Sequence, residues 1–212
     1  PVLHLDEAFR EEQNAKQLML HHDDALTVDW PDDITKVVAN IPYQISSPLI
    51  KKITRHLKEQ TNPIAHVVLM LQLEFAQRLS MNHPADVGSL GLTVALDWDV
   101  EEHHMVPPHH FSPQPAVQSQ VVGMKPHGRE FPVDKRLLQQ LIHHAFDQRR
   151  KKIRSSMKKA PRRISRIKGW HAQRWKDAMQ SLQDWEMMNA RPEELTLEDW
   201  IDLAKKVEKG SK

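Results

Sequence analysis

The sequence predicts an α/β fold, a largely parallel sheet followed by a small all-helical domain. Three observations predict it. Short apolar runs alternate with stretches of helical spacing through about residue 125. After Pro132 every apolar stripe has helical spacing. The longest apolar run, Val67-Val68-Leu69-Met70-Leu71, has the length of a buried strand, whereas a membrane span takes about 20 apolar residues.

Taken in order, Val2-Leu3-His4-Leu5-Asp6 reads as a strand ending in an acid, and Glu7 to Leu20 as helical. Thr27-Val28-Asp29-Trp30 and Lys36-Val37-Val38-Ala39 are strand-like, the second ending at Asn40. Leu49, Ile50, Ile53 and Leu57 have the spacing of one helix face, so Pro48 to Lys58 is predicted helical. His66 to Leu71 is a strand, and the segment after it runs as a helix through Leu79. Leu90 to Val100 and Gln118 to Met124 alternate as strands with no helix between them, which predicts an antiparallel edge.

The pattern changes at Lys125-Pro126-His127-Gly128. This predicts a first domain over residues 1–128 and a second over 129–212. In the second, Leu137, Leu138, Leu141, Ile142 and Ala145 form one stripe, and Trp175, Met179, Leu182 and Trp185 another. Thr196, with Asp199 three residues on, is the predicted cap of a last helix. Trp170, Trp175, Trp185 and Trp200 read as core.

The chain has 212 residues, 39% of them apolar, which is enough for a substantial core. Its mean hydropathy of -0.62 indicates a very polar surface. With no cysteine, disulfides and thiol nucleophiles are excluded. The paired histidines lack metal-ligand spacing, so no metal is expected. No span or secretory signal is visible, and a cytoplasmic monomer is expected. The net charge of +2 hides an asymmetry, because Gln148 to Lys176 holds 13 Lys or Arg and no acid. That leaves 17 basic and 28 acidic side chains elsewhere. A block of this kind on an acidic body suits a polyanion, which it binds by releasing condensed counterions.

The segment with the clearest chemistry is Asn40-Ile41-Pro42-Tyr43. It directly follows a predicted strand, so it sits at the carboxyl end of the sheet, where α/β folds place ligands. An adenine 6-amino group is a poor nucleophile because its lone pair is delocalised into the ring. Acceptors that bind the amino hydrogens favour a pyramidal nitrogen. The Asn40 side chain and the backbone carbonyl of Ile41 or Pro42 supply two such acceptors. Pro42 fixes the turn, and Tyr43 offers a face on which a flipped base can stack.

Asn40-Ile41-Pro42-Tyr43-Gln44-Ile45-Ser46-Ser47-Pro48 resembles the Asn-Leu-Pro-Tyr-Asn-Ile-Ser-Thr-Pro signature of the KsgA-type small-subunit rRNA adenine dimethyltransferases. Three further segments are similar to that family in order and spacing. They are Gln72 to Leu79, the loop from Val106 to Ser119, and Phe146-Asp147-Gln148-Arg149-Arg150-Lys151-Lys152-Ile153-Arg154. The resemblance implies a Rossmann-like class I methyltransferase domain and S-adenosylmethionine as cofactor. It implies dimethylation of two adjacent adenosines near the 3′ end of small-subunit rRNA, in a pre-30S or pre-40S particle. Asn40 and the backbone after it would hold the amine, and Tyr43 and Phe111 would sandwich the base. Asp24 would contact the cofactor adenine. Arg149, Arg150, Lys151, Lys152 and Arg154 would bind rRNA phosphates.

The chain departs from the family pattern in three places. The family's Gly-x-Gly-x-Gly cofactor loop has no counterpart, so a first βα unit is expected upstream of Pro1. His4 stands where the family has the Glu that grips the ribose, with Asp6 two residues on, and both are candidate cofactor contacts. Gly88-Ser89-Leu90 lacks the family's usual Arg before its sixth strand. Two alternatives stay open. One is the erythromycin-resistance type, which methylates large-subunit rRNA. The other is a non-catalytic assembly or transcription factor of the same family.

Overall fold

A computed structural model describes residues 2–60 and 63–210. Its centre is a four-stranded sheet in the order β1-β2-β4-β3, formed by β1 (Lys36–Asn40), β2 (His66–Gln72), β3 (Trp98–Val106) and β4 (Ser119–Pro126). β1 and β2 are parallel, from Lys36 opposite His66 to Asn40 opposite Met70. Parallel strands need a crossover, and α3 (Ser46–Glu59) provides it. Leu49, Ile50 and Ile53 on one face of α3 are buried. β4 runs antiparallel to β2 on one side and β3 on the other, as the missing helix before it predicts. Along β2, Val67, Leu69 and Leu71 are fully buried, the period-two signature of a strand packed on one face.

The helical part follows β4. Asp134 caps α6 (Lys135–Phe146) by accepting hydrogen bonds from the Arg136 and Leu137 amides at 2.7 and 3.3 Å. The predicted stripe of Leu137, Leu138, Leu141, Ile142 and Ala145 is buried. Thr196 and Asp199 form the capping box of α9 (Leu197–Lys209), as predicted. Between these helices lie α7 (Ile153–Ser156) and α8 (Ala172–Ser181). From 161 to 170 the backbone makes successive three-residue turns, with Ile164, Ile167 and Trp170 each donating to the carbonyl three residues back. Pro161, Ile164, Ile167 and Trp170 therefore point inward, while Arg162, Arg163, Arg166 and Lys168 are exposed.

Among the described residues the buried apolar side chains form two clusters. One lies under the sheet, and the other joins α6, α8 and α9. The second also takes Leu92 and Leu96 from the α5 (Ser89–Val94) region. Asp97, whose side chain is only 8% exposed, accepts from Lys58 at 3.0 Å and Lys135 at 2.6 Å. These two ammonium groups come from the end of α3 and the start of α6, so one carboxylate ties the clusters together. Among the described residues no helix is long and apolar enough to cross a membrane.

The structure corrects four sequence expectations. Residues 2–6, read as a strand, belong to α1 (Val2–Ala8). β1 is the sheet edge on that side among the described residues. A segment without a partner strand satisfies its amides locally, and a helix does so. The helix expected from Glu7 to Leu20 breaks at Phe9, and its second piece, α2 (Arg10–Asn14), stops shortly before Lys16, whose φ is 56°. Thr27 and Val28 close a turn, their amides donating to the Asp24 carbonyl, and Asp29 and Trp30 follow in irregular backbone. Trp30 instead meets the His56 ring edge-on at 5.6 Å. Leu90 to Val94 is helical as α5, and only residues from Trp98 onward form a strand. Its alternation misleads because the segment feeds two cores. Leu92 and Leu96, four apart, enter the helical cluster, and Leu90 and Val94 face the sheet cluster.

Candidate active site and nucleic-acid interface

Asn40 is the last residue of β1 and is exposed. Its side-chain amide makes no hydrogen bond to another described residue, so its acceptor and donors are open to a ligand. Ile41 turns into the sheet core at 8% exposure and anchors the chain as it leaves the strand. Pro42 holds φ at -57°, and its carbonyl accepts from the Ile45 amide at 3.0 Å. The Ser46 hydroxyl donates to the Tyr43 carbonyl at 2.9 Å, closing the turn onto α3. The half-buried Tyr43 ring is fixed at its tip, where its hydroxyl and that of Ser119 share a 2.7 Å hydrogen bond. This contact spends the phenol oxygen, not the ring faces.

Ser119 carries that anchor to the second half of the site. It is fully buried at the start of β4, opposite Gln72 on β2 and Val106 on β3. The loop 107–118, which carries Phe111, therefore leaves and re-enters the sheet at the same end as Asn40. The Gln118 carbonyl accepts from the Leu73 amide at 3.0 Å, so the start of α4 (Leu73–Ser80) holds the returning strand. Phe111 is half-buried and follows a tight turn over Pro108–His110, donating its amide to the Pro108 carbonyl at 3.0 Å. The Ser112–Pro113 peptide is cis. The sheet thus brings the Asn40–Tyr43 turn and the Phe111 loop to one end of its strands.

The predicted cofactor contacts fit less evenly. Asp24 is exposed, and one carboxylate oxygen accepts from the Leu26 amide at 2.8 Å. This leaves the other oxygen for a ligand. His4 and Asp6 lie on α1, not at a strand end, so they do not occupy the position in which a strand-end acid grips a ribose. Asn40 and Asp24 each keep a side-chain acceptor open to a ligand. The residues around His4 do not suit the ribose of S-adenosylmethionine.

The basic block builds a cleft of about 1070 Å³ between α6 and residues 151–163. Lys151, Lys158, Lys159, Arg162 and Arg163 line it, and Asp147 is its one acid. His144 bonds the Lys159 carbonyl through Nε2 at 2.8 Å, which holds the far wall to α6. Of the five predicted RNA contacts, Lys151 lines the cleft, while Arg150, Lys152 and Arg154 are exposed outside it. Arg149, though exposed, is engaged within the chain, pairing with Glu193 at 2.5 Å and donating to the Ala85 carbonyl at 3.3 Å. In the sequence, the cleft's His143 stands out only as one of the paired histidines read as polar surface. Its place on the polar side of the α6 stripe was readable, but its neighbours on other elements were not.

The family model for ribosomal RNA adenine dimethylase matches residues 3–172. The chain is 33% identical over 204 residues to the ribosomal RNA small subunit methyltransferase A of Alcanivorax borkumensis, covering 92% of this chain and 66% of that protein. It is 36% identical over 204 residues to a probable ribosomal RNA small subunit methyltransferase A of Haloarcula marismortui, covering 95% and 66%. The chain therefore spans just under two thirds of the length of these relatives. Among solved structures, a dimethyladenosine transferase from Plasmodium falciparum superposes with a TM-score of 0.75 at 23% identity, over 94% of this chain and 77% of that one. The 23S rRNA methyltransferase ErmE superposes at 0.63 with 19% identity, over 97% and 78%. Both likenesses are of fold, a Rossmann-like sheet followed by helices. With 170 consecutive residues inside the family match, the chain belongs to the ribosomal RNA adenine dimethylase family.

Proposed function

We propose that this chain is the larger part of an S-adenosylmethionine-dependent enzyme that dimethylates the 6-amino groups of two adjacent adenosines near the 3′ end of small-subunit rRNA. The observation that carries this reading is the Tyr43–Ser119 hydrogen bond of 2.7 Å, which couples the open Asn40 turn to the root of the Phe111 loop. Asn40 and the following backbone carbonyls accept from the amine and hold its lone pair out of the ring plane. Tyr43 and Phe111 take the two faces of a base swung out of its strand. S-adenosylmethionine, when bound, supplies a methyl group on a sulfonium that needs no acid or metal. The chain's own contribution is positioning. Residues 1–128 carry this chemistry, and residues 129–212 supply the basic cleft that holds rRNA of a pre-30S or pre-40S particle.

The test is methyl transfer from labelled S-adenosylmethionine to isolated small subunits, comparing the wild type with Asn40→Ala. The variant loses at least about a hundredfold in rate, since a misplaced reacting group costs that much. Full activity in the variant overturns the assignment.

The position of His4 and Asp6 on a helix favours a second reading, a non-catalytic factor in ribosome assembly. Calorimetry separates the two. Binding of S-adenosylmethionine supports the enzyme, and no measurable heat with intact RNA binding supports the assembly role.

A further inference from the structure

His143 stands on the cleft wall with charged groups reaching it from three parts of the chain. Its Nδ1 and the Ser89 hydroxyl share a 2.7 Å hydrogen bond, which fixes the ring between α5 and α6. It lines the same cleft as Lys151, Lys158, Lys159, Arg162 and Arg163. Lys51 reaches it electrostatically from α3, Arg163 from the far wall, and Asp147 from one turn along its own helix. His144, next to it, is engaged with the Lys159 carbonyl. α5 brings no charged side chain, and α7 brings only Arg154, which is exposed. Glu193, from the 192–194 turn packed on α6, is paired with Arg149. Two cations thus oppose one carboxylate around an imidazole on the wall of a polyanion cleft.

We infer that His143 is a phosphate-contacting residue of the cleft, and that RNA enters it together with a proton. The inference deepens the proposed function and rests on its claim that the cleft holds RNA. In the free protein, desolvation first, then Lys51 and, less strongly, Arg163 push the imidazole below its ordinary value of 6.5, against the opposite pull of Asp147. The neutral form is therefore the resting form at neutral pH. A phosphodiester brought into the cleft reverses that balance, because it offsets the two cations and favours the imidazolium. Binding then takes up a proton and tightens as pH falls through the ordinary histidine range. It gains nothing more once pH passes below the depressed value of the free protein.

Lys51 gives the device a direction. It lies on α3, the helix that begins three residues after Tyr43. The groups that bias His143 thus come from the helical part on one side and from the helix behind the Asn40 turn on the other.

The experiment measures the affinity of the full chain for a fluorescent RNA hairpin at fixed ionic strength, from about pH 8 to about pH 6. The wild type tightens about tenfold more than His143→Gln over that interval, equivalent to about 1.4 kcal/mol. His66→Gln, at the end of β2 away from the Asn40 turn, keeps the wild-type slope. Calorimetry in two buffers of different ionisation heat shows more proton uptake for the wild type than for His143→Gln. Both variants are checked for unchanged melting, which the solvent-facing position of His143 predicts. Equal pH slopes in the wild type and His143→Gln, with salt-sensitive binding retained, overturn the inference and leave the RNA reading standing. Unchanged affinity when Lys159 and Arg163 are both replaced by Glu overturns the RNA reading itself.

Discussion

Replacing Tyr43 by Phe tests whether the site is built around the anchor at Ser119. The change keeps both ring faces and removes one oxygen. In the wild type that oxygen lies 2.7 Å from the Ser119 hydroxyl, and Ser119 is fully buried at the junction of three strands. The variant leaves a buried hydroxyl without its tyrosine partner, which costs about 1–3 kcal/mol. The reciprocal change, Ser119→Ala, costs less, about 1 kcal/mol, because the half-buried tyrosine hydroxyl can turn to water. Together the two changes should cost clearly less than their sum, with a coupling of about 1 kcal/mol. Urea unfolding of the wild type, the two single variants and the double variant measures each term. Methyl transfer should fall in both single variants through kcat more than through KM, because the ring is present but less well held. Additive stabilities and unchanged kcat would refute the argument, since Tyr43 would then be oriented by something else.

Three further outcomes follow from the packing. Asp97→Ala should lower stability by about 1–3 kcal/mol, because it strips a nearly buried acceptor from Lys135. Lys58→Ala, which removes a cation left 45% exposed, should cost under about 1 kcal/mol, and urea midpoints compare the two. Gly91→Ala should destabilise the fold by about 1–3 kcal/mol despite better helix propensity. The added methyl would lie 2.7 Å from the Arg78 carbonyl and closer still to Met81, and thermal melts measure the loss. Arg163→Ala should reduce the salt slope of RNA affinity by about one without altering stability. Arg149→Ala should leave that slope nearly unchanged, since the guanidinium is already held by Glu193 and the Ala85 carbonyl.

Much of the fold was legible in the sequence because local signals and tertiary burial agreed. β1, α3, β2 and α6 follow from spacing that one buried or half-buried face imposes, and the Thr196 cap from its capping box. The antiparallel edge followed from connectivity, since two strands without a helix between them pair directly. The errors have physical causes. Leu90 to Val94 alternates because its side chains serve two clusters on opposite sides of a short helix. Residues 2–6 have strand composition, but no described strand lies beside them. Strand propensity expresses itself only against a neighbour.

The site was legible in part. Asn40 and Tyr43 stand at a strand end because the apolar run before them ends there, and the structure adds that Ser119 holds Tyr43. No spacing in the sequence joins positions 43 and 119. The basic block was evident from charge alone. Charge could not show that Arg149 is consumed internally while Arg162 and Arg163 face the cleft. That sorting follows from the three-residue turn period of 161–170, which the sequence carries only as isoleucines and a tryptophan among cations.

The most direct measurement maps the methylated nucleotides after incubating the protein and S-adenosylmethionine with unmethylated ribosomal subunits, small and large separately. Dimethyladenosine is expected at two neighbouring positions near the 3′ end of the small-subunit rRNA and none in the large. Methylation confined to the large subunit would contradict it.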